Sequence, residues 1–428
     1  MFVSFAIQNV YSFDDEQVLS ARAVKTCKER LLEATFQPLA GREERLVKTL
    51  AIYGANASGK TNVFLALADM RDMVLSSAAQ SQSGAQVGVM PFLFAEENFK
   101  QPSVYTLEFI LGEAQYKYGY AATAQEIVGE YLVRKEAKGR RYRELFSRAL
   151  IDGEQKIHCS MAFGADELVI SKTRSNALFL STCAMLAVPE AERIVDYFAN
   201  KLKVISADRM TPQYTSRLFA TGRYTQEVTR FLKMTDAGIG ELSVNALQQE
   251  SGRIRTDGSK EMVTAYEAQV KPLLKSGTIA AKSLPLQMIA SLGTMKAFNL
   301  AAHIFEALET GAVLVLDELD SRLHPLLTKE IIRLFNSAET NLKNAQLIFN
   351  THDTNLLSVR VYEATTDKKV YLLRRDEIYF VEKNGEMCSK IYSLIDFKKN
   401  GHSVRNDATY EKDYLAGLYG AIPYIGKW

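Results

Sequence analysis

The sequence predicts an α/β fold in which one strand–helix domain is split by a long insertion. Three observations predict it. An apolar run, Val47 to Tyr53, leads straight into a glycine-rich turn and then a helical pattern. A second run, Ala312 to Leu316, ends in two carboxylates, and a third, Gln346 to Asn350, ends in Thr351-His352-Asp353. Between the first unit and the second, 257 residues separate Lys60 from Asp317. Short continuous apolar runs suit parallel strands covered on both faces. Strand–helix alternation at both ends, with other material between, suits one interrupted domain.

Taken in order, the chain divides into 1–89, 90–186, 187–285 and 286–428. The first part opens with a strand, Phe2 to Asn9, and its helix runs from Lys60 to about Leu75. Residues 76–86 are small and polar and predict a loop. The second part favours strands: Tyr105-Thr-Leu-Glu-Phe-Ile and Tyr116-Lys-Tyr-Gly-Tyr alternate, so it reads as an inserted β-rich lobe of half-buried antiparallel pairs. The third reads as a helical lid, because Glu192-Arg-Ile-Val-Asp-Tyr-Phe and Glu227-Val-Thr-Arg-Phe-Leu space apolar residues at three and four. The last part holds a long helical pattern from Met288 to Leu308, the carboxylate strand, a helix from Leu326 to Phe335, the strand Gln346 to Asn350 and a further strand from Val370 to Leu373. No a/d heptads are sustained, so a long coiled coil is not expected.

Composition narrows the function classes. With 428 residues, 47% hydrophobic and 24% charged, the chain is a globular protein of two or three domains. Lys and Arg number 52 against 50 Asp and Glu, so no overall basic field points to nucleic acid, although a local patch is compatible with +2. The longest nearly apolar stretch, Leu178 to Val188, is half the length a bilayer span needs. The N-terminus carries no basic segment ahead of an apolar core, which argues against a secretory leader. Cys27, Cys159, Cys183 and Cys388 are far apart and form no CxxC, as expected of reduced cytoplasmic thiols.

Gly54-Ala-Asn-Ala-Ser-Gly-Lys60-Thr61 matches GxxxxGK[ST], with the required strand before it and helix after it. Glycines let backbone N–H groups turn inward around phosphate oxygens, and the helix start adds positive potential. Gly54, Asn56, Ser58, Gly59, Lys60, Thr61 and the following Asn62 are therefore the candidate nucleotide contacts. Lys60 would reach the β- and γ-phosphates of ATP, and the Thr61 hydroxyl would ligate Mg²⁺. Asp317 ends a strand where open α/β sheets bind ligands, so it would hold Mg²⁺, and Glu318 would orient the attacking water. His352, one strand further, is placed to hold that water and touch the γ-phosphate. A lone acid pair or histidine usually has a structural role; company with the glycine loop shifts both readings. Ser291-Leu-Gly293 opens a helix and offers a second phosphate-ready terminus, although an ordinary N-cap looks the same. Asp320 and His324-Pro325 read mainly as structural, Asp320 at a subunit boundary and the other pair at a helix start.

The order glycine loop, SxG at a helix start, strand with DE, strand with His resembles the ATP-binding-cassette ATPases. The form GANASGKTN and the early IQNVYSFDD strand resemble the RecF/SMC/OLD-like group, and more closely the bacterial AAA15 ATPases of the abortive-infection and RloA type. Leu373-Arg-Arg-Asp376-Glu-Ile-Tyr-Phe-Val-Glu-Lys383 and Tyr414-Leu-Ala-Gly-Leu-Tyr-Gly-Ala-Ile-Pro423 are similar to that family's terminal signatures. Two positions depart from its pattern: Ala290 stands where Glu often precedes the signature serine, and Glu377 where Gln often follows Asp376. No residue is assigned to the family's Q-loop glutamine; Pro91-Phe92 lies where it would be sought.

The resemblance implies a Mg²⁺-dependent ATPase that pairs with itself, Ser291 and Gly293 completing the partner's nucleotide site. It further implies a sensor in anti-phage defence that controls a separately encoded Toprim-like or RloB-like nuclease, with DNA or a phage component as trigger and no membrane. Only 76 residues follow His352 and they hold no strand-end DxD, so an attached nuclease domain is not expected. The alternatives are a RecF-like repair ATPase that binds DNA ends or junctions, against which the near-zero net charge speaks, and an ATP-binding scaffold, against which Glu318 and His352 speak.

Overall fold

A computed structural model describes residues 1–80, 82, 84–206, 210–254, 260–363, 368–399 and 401–423. Two large sheets organise the described residues. The first has six strands in the order Leu202–Ser206, Val313–Asp317, Gln346–Asn350, Thr49–Tyr53, Ile378–Lys383, Ser389–Ser393, all parallel except the last pair. Side chains alternate across it. Leu50, Ile52, Val313, Val315 and Ile348 join one core, and Ala51, Tyr53, Leu314, Leu316, Leu347 and Phe349 join the other. Both faces are covered, which is why these runs carry no polar alternation.

The second sheet has seven antiparallel strands in the order Glu154–Cys159, Arg143–Ile151, Ile127–Glu136, Ala114–Ala122, Ser103–Leu111, Phe2–Gln8, Gln17–Ser20. The helix Lys60–Gln80 packs in the core shared by the two sheets and buries Val63, Phe64, Leu67, Met70 and Val74. On the far side of the parallel sheet lie the helices Leu292–Thr310, Pro325–Asn336 and Tyr410–Leu415.

The structure corrects four expectations. Residues 90–186 do not form a lobe of their own: Ser103–Leu111 pairs with Phe2–Gln8, so these strands complete a sheet the N-terminus begins. Alternation reveals a strand but not its partner. The interval 187–285 is helical only in part. Its helices Pro189–Asp196, Pro212–Ala220 and Thr225–Thr235 give way to a long hairpin, Ile239–Ile254 with Lys260–Pro272, and Leu202–Ser206 belongs to the parallel sheet. Ala268, Gln269 and Val270 are all buried near the start of the hairpin, beside Leu242, so it carries no clean alternation there. The predicted loop at 76 is still helix to Gln80, because Ser77 is buried and its hydroxyl accepts the Leu178 N–H; residues 81 and 83 lie outside the described residues. The long helix from Met288 is two, Leu286–Ile289 and Leu292–Thr310, broken where Ala290 is extended and Ser291 caps the second. A smaller difference concerns the strand expected at 370: Lys368–Tyr371 pairs only with Arg360–Glu363, outside both large sheets.

Candidate functional site

The fully buried strand Thr49–Tyr53 delivers the glycine loop to the carboxyl edge of the parallel sheet. Its glycines are dictated by space. A Cβ on Gly54 would stand 2.4 Å from the Val381 carbonyl oxygen. One on Gly59, whose φ is +107°, would stand 2.6 Å from both the Ser12 and Ser389 hydroxyls. The Lys60 ammonium folds back on its own loop and donates to the carbonyls of Gly54 at 2.9 Å and Ala55 at 2.8 Å. Burial lowers its pKa to about 8, against the pull of Asp317, Glu318 and Asp320. The Ser58 hydroxyl is buried without a hydrogen-bond partner among the described residues, and Asn56 stands exposed on the loop. Asn62 is committed elsewhere: its amide donates to Ser12 Oγ at 2.8 Å. Ser389 Oγ donates to the Ser58 carbonyl at 2.6 Å and pairs with Ser12 Oγ at 2.8 Å, so the segments of Ser12 and Ser389 brace the loop from beneath.

Thr61 and Asp317 meet across the strand ends, Oγ1 donating to Oδ1 at 3.2 Å. The same carboxylate oxygen accepts from the Asn350 amide, whose carbonyl oxygen in turn accepts the Glu318 N–H. The Glu318 carbonyl accepts from Lys296 Nζ at 2.5 Å. Glu318 is thus tied from two sides in a left-handed backbone, φ +53°, a conformation costly for a non-glycine residue and kept only where neighbours enforce it. Its side chain is exposed at the strand end. The N–H of His352 donates to Asp320 Oδ2 at 3.2 Å. Desolvation by the surrounding wall, then the Lys60 charge, pushes the His352 pKa down, which leaves the imidazole neutral at pH 7. The other Asp320 oxygen is buried and has no partner among the described residues. His324 does cap the helix Pro325–Asn336, its Nδ1 accepting the Leu326 N–H at 3.2 Å.

Ser291 caps the helix Leu292–Thr310 by accepting the Thr294 N–H at 3.1 Å. A Cβ on Gly293 would lie 2.6 Å from the Arg322 carbonyl, so the helix start rests on the turn after the carboxylates. Among the described residues, the hydrogen bonds of Ser291 reach Thr294 and not the 54–62 loop. Pro91-Phe92 packs against the turn after the first strand: Phe92 is buried, its N–H donates to Asn9 Oδ1, and its ring packs on Phe94. At the sheet edge Ser206 is paired in register with Asp317. A cavity of about 410 Å³ opens there, bounded by Thr61, Asp317, Ser206, Tyr214 and His303.

Four contributors escaped the sequence reading: Asn350, Lys296, Ser12 and Ser389. Asn350 had a signal, being the polar end of a buried run just as Asp317 is. The serines had none, standing 377 residues apart. Among the described residues, no group of three His, Cys, Asp or Glu forms a metal cage. One carboxylate beside one hydroxyl fits Mg²⁺, which keeps most of its shell for water and substrate phosphates.

A family model described as "AAA domain, putative AbiEii toxin, Type IV TA system" matches residues 50–161 and 277–358. Those two segments contain the glycine loop, Ser291, the carboxylates and His352, and they leave out the helices and hairpin between. No curated protein matches the chain. Among solved structures, the SMC head domain from Thermotoga maritima is 12% identical, with 92% of this chain and 98% of that chain covered and a TM-score of 0.39. A structure of the recombination mediator protein RecF-ATPrS of the RecFOR pathway is 12% identical, with 91% and 98% covered and a TM-score of 0.30.

Proposed function

We propose that this chain is a Mg²⁺-dependent ATP hydrolase of the AAA15, RloA-like kind. The observation that carries the proposal is the meeting of Thr61 with Asp317 at 3.2 Å beside a Lys60 that is poised on its own loop. Lys60 exchanges the Gly54 and Ala55 carbonyls for the β- and γ-phosphates of ATP. Backbone N–H groups from Asn56 to Asn62 and the Ser58 hydroxyl line the phosphate cradle. Thr61 and Asp317 would hold Mg²⁺, which when bound neutralises phosphate charge. Glu318 orients the attacking water, and the neutral His352 holds it by a hydrogen bond. The hydrogen bond that the Glu318 N–H gives to Asn350 and the one its carbonyl takes from Lys296 fix the backbone that aims Glu318.

Ser291 and Gly293 complete the site of a second copy, so ATP is enclosed at a two-fold interface. In the cell the cycle of closure and opening regulates a separately encoded effector nuclease in anti-phage defence; the toxin–antitoxin wording of the matched family model supports this setting.

The test is ATP binding and phosphate release by two variants. Lys60→Ala is expected to lose binding. Glu318→Gln is expected to bind normally and turn over about 10²- to 10⁴-fold more slowly, the usual worth of a positioned base. Normal turnover by Glu318→Gln overturns its assigned role. For the cellular reading, plaque formation is scored on cells carrying the chain with its neighbouring genes. Full protection by Lys60→Ala would rule out an ATP-driven defence role.

A further inference from the structure

Three buried oxygens at the carboxyl edge of the parallel sheet lack a hydrogen-bond partner among the described residues: the Tyr53 hydroxyl, Asp320 Oδ1 and Asp353 Oδ2. They come from the ends of three neighbouring strands. Tyr53 closes Thr49–Tyr53, Asp353 stands just beyond Gln346–Asn350, and Asp320 just beyond Val313–Asp317. Register holds these ends level. Asn350 pairs with Ile52, the Thr351 N–H donates to the Ile52 carbonyl at 3.1 Å, and the Leu319 N–H donates to the Asn350 carbonyl at 3.3 Å. The His352 N–H then joins its turn to Asp320 Oδ2 at 3.2 Å.

A buried polar atom without a partner is costly, and several at one place point to a water or an ion that they share. Tyr53 is the most confined of the three. It is 1% exposed, and its ring packs against Phe380 and Tyr414. Burial first, and then the charges of Asp353 and Asp320, hold its phenol well above the ordinary range, so it meets those carboxylates with its proton on. The groups that act most on it, Asp353, Asp320, Tyr414 and Glu411, include no cation. Lys60, which feels the charge of Asp320, is committed to the carbonyls of Gly54 and Ala55. We infer that Tyr53, Asp320 and Asp353 hold a monovalent alkali cation, K⁺ or Na⁺, beneath the turn that carries His352.

The donor set selects this ion. A water could accept from the phenol and donate to each carboxylate, but it would leave two negative charges desolvated without a counter-charge. A divalent ion asks for more ligand charge. Among the described residues no third His, Cys, Asp or Glu joins the pair. Each carboxylate also has one oxygen already engaged. Asp353 Oδ1 accepts the Asn355 N–H at 3.0 Å and the Asn355 amide at 2.8 Å, as Asp320 Oδ2 accepts from His352. That leaves one oxygen from each acid and a neutral phenol, whose lone pair faces the ion while its proton serves a carboxylate. The ion ties three strand ends together and steadies the turn that presents His352. Its value for turnover rests on the ATPase reading; the site itself does not.

The test uses the full chain without nucleotide, so its outcome is independent of that reading. Crystals are soaked in thallium(I) acetate, a heavy stand-in for K⁺, and an anomalous peak is expected between the three oxygens. In solution, amide hydrogen exchange of residues 350–358 is compared in KCl, NaCl and choline chloride at equal concentration. Exchange in about 150 mM of the preferred alkali salt is expected to be about fivefold slower than in choline, as a site half-filled at about 40 mM gives. The KCl and NaCl arms show which ion is held. Asp353→Asn and Tyr53→Phe, which remove a ligand charge and a ligand oxygen, should each lose most of this difference. Asp152→Asn, at an exposed carboxylate in a turn of the antiparallel sheet, should keep it. Unchanged far-UV circular dichroism shows that the variants fold. No thallium peak between the three oxygens, exchange alike in all three salts, or an undiminished difference in both folded site variants overturns the inference and leaves the space to water.

Discussion

Asn350 shows how much a single amide governs at the strand ends. It gives a hydrogen bond to Asp317 and takes one from the Glu318 N–H, so the candidate metal ligand and the candidate base share one positioning residue. Asn350→Ala leaves the Glu318 N–H without its partner, at a cost of about 1–3 kcal/mol, and frees a left-handed backbone to relax. Phosphate release is expected to drop about 10- to 100-fold, the range of residues that orient a ligand from behind, with ATP affinity within threefold. Unchanged turnover would assign Asn350 to stability alone. Glu377 poses a different residue-scale question. Burial pushes its pKa up to about 8, so the carboxyl is protonated at neutral pH. One oxygen accepts the Arg374 N–H at 2.7 Å and the other has no partner among the described residues. A neutral carboxyl resembles a carboxamide, which explains why Glu can stand where the resembled family often has Gln. The folded chain holds a proton here that the unfolded chain loses near 4.5, so this residue's contribution to stability falls as pH rises from about 4.5 to 8. Glu377→Gln should therefore melt close to the parent at pH 5 and above it at pH 8. An equal difference at both values would show that Glu377 does not titrate in this window.

At the scale of elements, what could be read from the sequence was what is local. The strand Gln346–Asn350 was legible to the residue because five consecutive buried positions leave no ambiguity of face. The glycine loop was legible because its constraint is written in adjacent residues, including the two positions where a Cβ cannot fit. The hairpin Ile239–Ile254 with Lys260–Pro272 was not, since much of its surface is exposed and polar residues occupy both phases of the alternation. The break before Leu292–Thr310 is half legible: Ser291 has the residue type of an N-cap, yet the apolar Met288 and Ile289 upstream mimic a continuing helix. Those two are exposed, as are Leu292 and Leu326, so their spacing records something other than burial within this chain.

At the scale of the whole molecule, the proposed two-fold assembly makes Ser291 decisive. Ser291→Arg removes an N-cap, about 1 kcal/mol, too little to unfold a domain of ordinary stability, but it puts a large cation where a partner's phosphate would meet the helix start. Light scattering of Glu318→Gln with saturating ATP should give a dimer, and the added Ser291→Arg change should return a folded monomer. A monomer in both would end the two-fold mechanism. The order in which the parallel sheet is completed has a further consequence, one of time. The strand that carries the glycine loop lies between two neighbours made far later: Thr49 pairs beside Leu347, 298 residues on, and Ala51 beside Ile378. The floor of the loop waits longer still, for Ser389. At roughly 5–20 residues per second, a ribosome needs about 15 to 60 s to supply the first of those neighbours. Through that interval the nascent chain holds the whole glycine motif but no sheet to mount it on. Chains truncated before Leu347 are therefore expected to carry the motif without binding ATP, which equilibrium binding to such a fragment checks.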